Sequence, residues 1–104
     1  MTDVMEVFLD NVLYIMKKKQ VSMNEINEYL GMSNAWFSSV VSNKSKVSLD
    51  KAYEIAEYLE TTLNVLTDKH TKTNMIISEK KRKIEAMKKE IAKLEEEIKE
   101  VTAA

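Results

Sequence analysis

The feature that most constrains this chain is Gly31, the only glycine in 104 residues that contain no proline. Glycine and proline form most tight turns, so sheets built on tight hairpins and long irregular loops are disfavoured. Lysine, glutamate, methionine, leucine and isoleucine are abundant, and this composition favours helix. The sequence therefore predicts an all-α fold in which Gly31 marks a specific break.

Two helical patterns precede Gly31. The first is predicted to run from Val4 to Lys19, and its apolar residues recur at helical spacing: Val4, Phe8, Val12 and Ile15 or Met16. Ser22 and Glu25 have the spacing of a capping box, which predicts a second helix over Met23–Leu30. Gly31 follows directly, at the position where the end of a helix commonly needs a left-handed residue.

Three further helices are predicted after Gly31. Ser33 is expected to cap a helix over residues 34–42. Asn43 tolerates a positive φ angle and is expected to end that helix. Ser48 opens a fourth helix, and a short fifth helix closes the core. The side chains expected to face the core are Phe37, Val40 or Val41, Ala52, Ile55, Ala56, Leu59, Leu63 and Leu66.

From Thr73 the sequence changes to a heptad repeat. Isoleucine recurs at every heptad, and other apolar residues fill the second inward position, which is typical of a coiled coil. We call the following residues the seam, which Lys80 interrupts: Ile77, Ile84, Met87, Ile91, Leu94, Ile98 and Val101. A lone helix with such a seam is marginal in water. The repeat therefore predicts a homodimer through residues 71–104, which follow a domain over residues 1–70, and a tetramer of two coil pairs is also compatible with it.

The charges along this repeat favour an antiparallel pair. Basic side chains crowd its first half, and acidic side chains crowd its second half. In a parallel pair, the contacts beside the seam would join side chains of like charge: Lys83 with Lys88, and Glu90 with Glu95. An antiparallel pair would instead place Lys83 beside Glu97. Each exposed pair contributes little, but several together can decide the orientation.

The stretch from Val21 to Leu66 carries a resemblance to a known family. The residues that carry it are Ile26, Leu30, Gly31, Met32, Ser33, Phe37 and Val40, followed by the run SLDKAYEIAEYLETTLNVL. In this arrangement they are similar to the Cro/repressor-type helix-turn-helix family, also called XRE-like. The resemblance implies a five-helix lambda-repressor-like helix-turn-helix domain, followed here by the long coiled-coil helix. In that fold the second helix of the motif enters the major groove of DNA.

The resemblance also implies a set of DNA-binding residues. Carried over by position, they are Ser22, Asn24, Ser33, Asn34, Ala35, Trp36, Ser38, Ser39, Lys44 and Lys46. Asn34 suits adenine, because an amide can bond that base at two atoms. Lys44 and Lys46 fall in a loop that commonly contacts phosphate. Trp36 has three interpretations that stay open: a groove contact, a surface for a partner, or a core residue. Asn27 departs from the family, which usually has alanine there, so the two motif helices must accommodate an amide.

The sequence lacks the residues that other classes of function need. Without cysteine, disulfides and thiolate metal sites are excluded, and with His70 as the single histidine no metal or cofactor is expected. No catalytic spacing or glycine-rich phosphate loop occurs, so we expect neither an enzyme nor a small-molecule substrate. No apolar run approaches the roughly 18 residues of a membrane span, and the first residues lack the lysines of a secretory signal. These features predict a cytoplasmic, nucleoid-associated protein.

Net charge is the property that fits DNA binding least. The formal net charge is −1, and residues 1–72 carry eight basic and ten acidic side chains, so binding must depend on local positive charge. The expected function is sequence-specific DNA binding by a coiled-coil dimer, most often used to repress transcription in bacteria, phages or plasmids. Two alternatives stay open: the same domain could dock another protein, or the dimer could bridge DNA as an architectural protein.

Overall fold

A computed structural model describes residues 3–43 and 45–103. Within these ranges the chain is helical and contains no strand. The helices are α1 (Val4–Lys19), α2 (Met23–Leu30), α3 (Trp36–Asn43), α4 (Leu49–Tyr58), α5 (Leu63–Thr67) and α6 (Thr71–Ala103). The contacts divide the chain into two compact units, one up to Lys72, which we call the head, and one from Thr73 onward. The predicted all-α fold with a long C-terminal helix is therefore confirmed.

The core of the head is built from one apolar face of each of its five helices. Fully or almost fully buried are Phe8, Leu9, Val12, Ile15, Met16, Ile26, Phe37, Val40, Ala52, Ile55, Ala56, Leu59 and Leu66. Ile15 and Met16 are both buried, and Val40 rather than Val41 faces inward. The prediction for Val4 is wrong, because this side chain is 62% exposed. Val4 is the first residue of α1, and the buried face begins one turn later at Phe8.

Local caps fix where most of these helices begin. Ser22 and Glu25 form the predicted capping box, in which the Glu25 N–H donates to the Ser22 hydroxyl and the Ser22 N–H donates to the Glu25 carboxylate. Gly31 ends α2 with a φ angle of 67°. The Ser48 hydroxyl accepts from the N–H of Lys51 at the start of α4, as predicted. Each cap satisfies backbone groups that the helix itself leaves without a partner.

Two of the chain reversals use residues that carry no turn signal. Gln20 after α1 and Glu60 after α4 have φ angles of 58° and 57°. Both are left-handed positions, where a side chain costs roughly 1–2 kcal/mol relative to glycine. After Gln20, the N–H of Val21 returns to the carbonyl of Met16 at 2.9 Å, and this bond closes the end of α1.

A buried amide joins the first and last helices of the head. The side chain of Asn11 in α1 is 3% exposed. Its Nδ2 donates to the carbonyl of Leu66 at 2.8 Å and to the carbonyl of Asp68 at 3.0 Å. The Leu66 carbonyl lies in the last turn of α5, where the helix itself offers no partner, and the Asp68 carbonyl, which also accepts from the N–H of Thr71 at 3.2 Å, follows directly after that helix. Asn11 therefore acts as a cap supplied from a distant part of the chain.

The second unit consists of the remainder of α6. Its seam side chains are exposed, from 45% at Ile77 to 76% at Val101. The ammonium of Lys88 lies 3.6 Å from the carboxylate of Glu85, one turn away on the same helix. In the described part of the chain, every helix is too short or too polar to cross a membrane.

Candidate nucleic-acid interface

The candidate interface is organised by Asn27, which lies in α2 and is 1% exposed. Its Nδ2 donates to the carbonyl of Asn34 at 2.9 Å, and its Oδ1 accepts from the N–H of Phe37 at 2.9 Å. Phe37 lies in the first turn of α3, where N–H groups have no partner within the helix. The Asn27 amide therefore fixes both the turn between α2 and α3 and the first turn of α3.

This contact explains why α3 begins later than predicted. In a helix starting at Asn34, the Asn34 carbonyl would accept from the backbone four residues on, but it accepts from the Asn27 side chain instead. Residues 34 and 35 form a turn, which the Ser33 carbonyl closes by accepting from the N–H of Trp36 at 3.1 Å. The predicted side-chain cap at Ser33 is thus replaced by a backbone contact.

The predicted end of α3 also needs correction. Asn43 is the last residue of the helix and has no positive φ angle, so it is not the left-handed terminator that we expected. Lys44, one of the two predicted loop lysines, lies outside the described residues. Lys46 is exposed in the segment that leads to α4.

The turn and the first turns of α3 present a row of small polar side chains. Ala35, Ser38 and Ser39 have the spacing of one helix face, and all are exposed together with Ser33 and Asn34. The Ser38 hydroxyl donates to the Ala35 carbonyl at 3.1 Å, which leaves its oxygen able to accept a further bond. No large side chain occupies this row, so its backbone can approach a flat or grooved partner closely.

Trp36 lies beside this row and is not part of the core. Its side chain is half-buried, and its ring centroid lies 6.1 Å from that of Phe37. The ammonium of Lys51, from α4, lies 6.0 Å from the Trp36 ring, within the range of a cation–π contact. Of the three interpretations of Trp36, the core is therefore excluded. Sequence reasoning missed Lys51, because only the packing of α4 brings this cation to α3.

The start of α2 carries the two other predicted phosphate contacts, Ser22 and Asn24. Both are exposed, but the Ser22 hydroxyl is already engaged in the capping box. The Tyr58 hydroxyl donates to the Glu25 carboxylate at 2.8 Å. This bond, followed by the bond from the Ser22 backbone, lowers the pKa of Glu25, and the same contact raises the pKa of Tyr58. The carboxylate therefore stays ionised at this end of α2.

A second group of cations lies elsewhere on the head. The ammonium groups of Lys18 and Lys72 lie 5.5 Å and 5.9 Å from the ring of Tyr14. Lys19, one residue further along, donates to the carbonyl of Leu59, so its position is fixed by the fold. Among the described residues, no group of three histidine or carboxylate side chains is arranged to hold a metal ion.

Comparisons with known protein families, with curated proteins and with solved structures found no match to this chain.

Proposed function

We propose that this protein is a helix-turn-helix DNA-binding protein of the Cro/repressor type, which occupies a specific site and represses transcription there. The observation that carries the proposal is the junction at Asn27. It fixes α2 against α3, and the exposed row beside it, formed by Asn34, Ala35, Ser38 and Ser39, contains no bulky side chain. A helix that contacts bases needs both a rigid support and a face that can enter the major groove.

Each part of the row has a chemical role in this proposal. The Asn34 amide can donate and accept at adenine, and the hydroxyls of Ser38 and Ser39 can bond to bases or phosphates. The methyl group of Ala35 suits contact with a thymine methyl. Lys46 and Lys51 supply positive charge on the segments that follow α3, which compensates locally for the acidic balance of the head.

A second candidate function is the docking of another protein. It is favoured by an apolar groove whose rim includes Val4 and Leu49, which are 62% and 73% exposed. Exposed apolar side chains in a groove commonly mark a protein contact. The excess of acidic side chains in residues 1–72 also fits this alternative better than it fits DNA.

Selection from random duplex DNA tests the proposal and separates it from this alternative. The purified protein is incubated with the duplexes at about 0.1 M salt, which screens weak phosphate contacts, and the bound pool is sequenced. We expect a recurrent motif. If no DNA is retained, the docking function becomes the better explanation.

Substitution of Asn34 then tests whether the exposed row contacts bases. Asn34→Ala should lower affinity for the selected site by about 1–3 kcal/mol and relax preference at one base position. Asn64→Ala, at an exposed asparagine of α5, is the matched control and should change neither. Equal behaviour of the two variants would show that the Asn34 side chain makes no base contact.

The function also calls for a second copy of the chain. A homodimer reads a two-fold symmetric or repeated site more tightly than one head can, because the second contact is intramolecular. The exposed seam of α6 is the surface through which we propose that the copies associate, and a tetramer would join two such pairs.

A further inference from the structure

The seam of α6 is an apolar surface with no cover in the single chain. Its side chains are 45% to 76% exposed although they recur on one face of one continuous helix. Burying such a side chain fully is worth about 1.5–3 kcal/mol, so covering the whole seam would contribute substantially to association. The length of the seam, roughly 36 Å from Ile77 to Val101, matches a helix of the same length.

The charge pattern of α6 indicates which helix fits that seam. Positive side chains are concentrated at Lys80–Lys83 and at Lys88 and Lys89, whereas Glu95–Glu97 and Glu100 follow in the second half. Within α6 these two groups are too far apart to meet each other. A second copy running in the opposite direction would place each basic half beside an acidic half.

The charged residues that flank the seam also favour the antiparallel orientation. In a parallel pair, Lys83 would meet Lys88 of the partner, and Glu90 would meet Glu95 of the partner, so every charged contact would be repulsive. In an antiparallel pair that aligns Ile77 with the partner's Val101, Lys83 meets the partner's Glu97 and Lys81 meets the partner's Glu95. Only the central Lys88 and Glu90 then face their own copies.

Lys80, which interrupts the seam, also favours the antiparallel orientation. It occupies an inward position of the repeat, so a parallel pair would bring the two Lys80 side chains face to face against the apolar seam. Two ammonium groups confined together in this way repel each other and lose hydration. The antiparallel pair places Lys80 opposite the partner's Ile98 and separates the two lysines to opposite ends of the coil.

We infer that the seam is covered by a second copy of α6 running antiparallel, with Ile77 opposite the partner's Val101. The two heads are then joined to opposite ends of a coil roughly 36 Å long. Such a dimer carries one head at each end of the coil, and in the proposed function each head contacts its own half of a two-fold symmetric or repeated site. The part of this inference that concerns DNA rests on the proposed function, whereas the pairing itself does not.

Disulfide trapping tests the orientation directly. The chain has no cysteine of its own, so Ile77→Cys and Val101→Cys in the same chain introduce the only two thiols. A link within one chain is impossible, because these residues lie roughly 36 Å apart on one helix. After mild oxidation we expect dimers that contain the mixed 77–101 link in peptide mapping. Dimers linked 77–77 and 101–101 would overturn the orientation, and an unlinked monomer would overturn the self-pairing.

A charge reversal gives a second test that leaves the seam intact. Lys83→Glu would place like charges beside the partner's Glu97 in the antiparallel pair, and we expect the dimer dissociation constant to rise about tenfold. In a parallel pair the same change would relieve a repulsion and tighten the dimer. Lys89→Glu, on the outer face of the same helix, is the matched control and should have little effect.

These measurements also separate the two proposals. Sedimentation and disulfide mapping need no DNA, so a failed DNA selection would not alter them. A confirmed site in the DNA selection together with a parallel coil would retain the proposed function and reject only this inference.

Discussion

Replacing Asn27 with alanine should destabilise the head far more than the loss of an exposed polar side chain would. The variant leaves the buried N–H of Phe37 without its partner at 2.9 Å, which costs about 1–3 kcal/mol. It also removes the bond to the Asn34 carbonyl, worth about 0.5–1.5 kcal/mol. The higher helix propensity of alanine returns at most about 0.7 kcal/mol. We therefore expect a net loss of roughly 2–3 kcal/mol in the free energy of unfolding.

Thermal and urea denaturation followed by circular dichroism measures this loss, which corresponds to a fall in Tm of about 10–20 °C. Asn24→Ala, at an exposed position of the same helix, is the matched control and should lie within about 0.5 kcal/mol of the parent chain. Asn27→Asp retains the acceptor for Phe37 but places a carboxylate against the Asn34 carbonyl. That variant should recover stability as the pH falls and its carboxyl group becomes a donor. If Asn27→Ala were as stable as the control, the Asn27 amide would not be what holds the two helices.

Three further substitutions test other parts of the head. Gly31→Ala should lower the free energy of unfolding, measured by thermal denaturation, by roughly 1–2 kcal/mol. The cause is backbone strain alone, because a Cβ at this position meets nothing within 4 Å. Gly31→Asn should cost less, since asparagine adopts the left-handed conformation more readily. Tyr58→Phe should raise the pKa of Glu25 in an NMR titration. The lowered pKa of Glu25 stabilises the fold only while the carboxyl group is ionised. The difference in the free energy of unfolding between this variant and the parent chain should therefore shrink as the pH falls through the usual carboxyl range. An unchanged Glu25 titration would refute the contact. Lys46→Ala should weaken DNA binding uniformly over sequence and reduce the salt slope by about 1, whereas Lys69→Ala should not, and equal effects would argue against a specific phosphate contact.

The features of the fold that could be predicted from the sequence depend on neighbours in the chain. The bounds of α1 and α2, the capping box at Ser22 and the left-handed Gly31 all follow from signals within a few residues of each boundary. The start of α3 could not be predicted in this way. It depends on a side chain in the preceding helix, Asn27, that competes successfully for a backbone carbonyl.

Other features carry no recognisable signal in the sequence. Gln20 and Glu60 adopt left-handed conformations that are uncommon for their residue types, and the residue after each one closes the preceding helix with a backbone bond. Lys51 approaches Trp36 only after α4 has packed. The roles of the individual residues in DNA binding stay predictions, since helix geometry alone places a side chain without identifying what it binds.

The amide of Asn11 has a consequence for the order in which the head assembles. Its bond to the Leu66 carbonyl spans 55 residues of sequence. Closing a loop of that length costs chain entropy that is recovered only when α5 has formed. Of the five helices of the head, α1 comes first in the sequence and is thus the one locked in place last. On heating, α1 and α5 should be released together, and amide exchange should show the same protection for both helices.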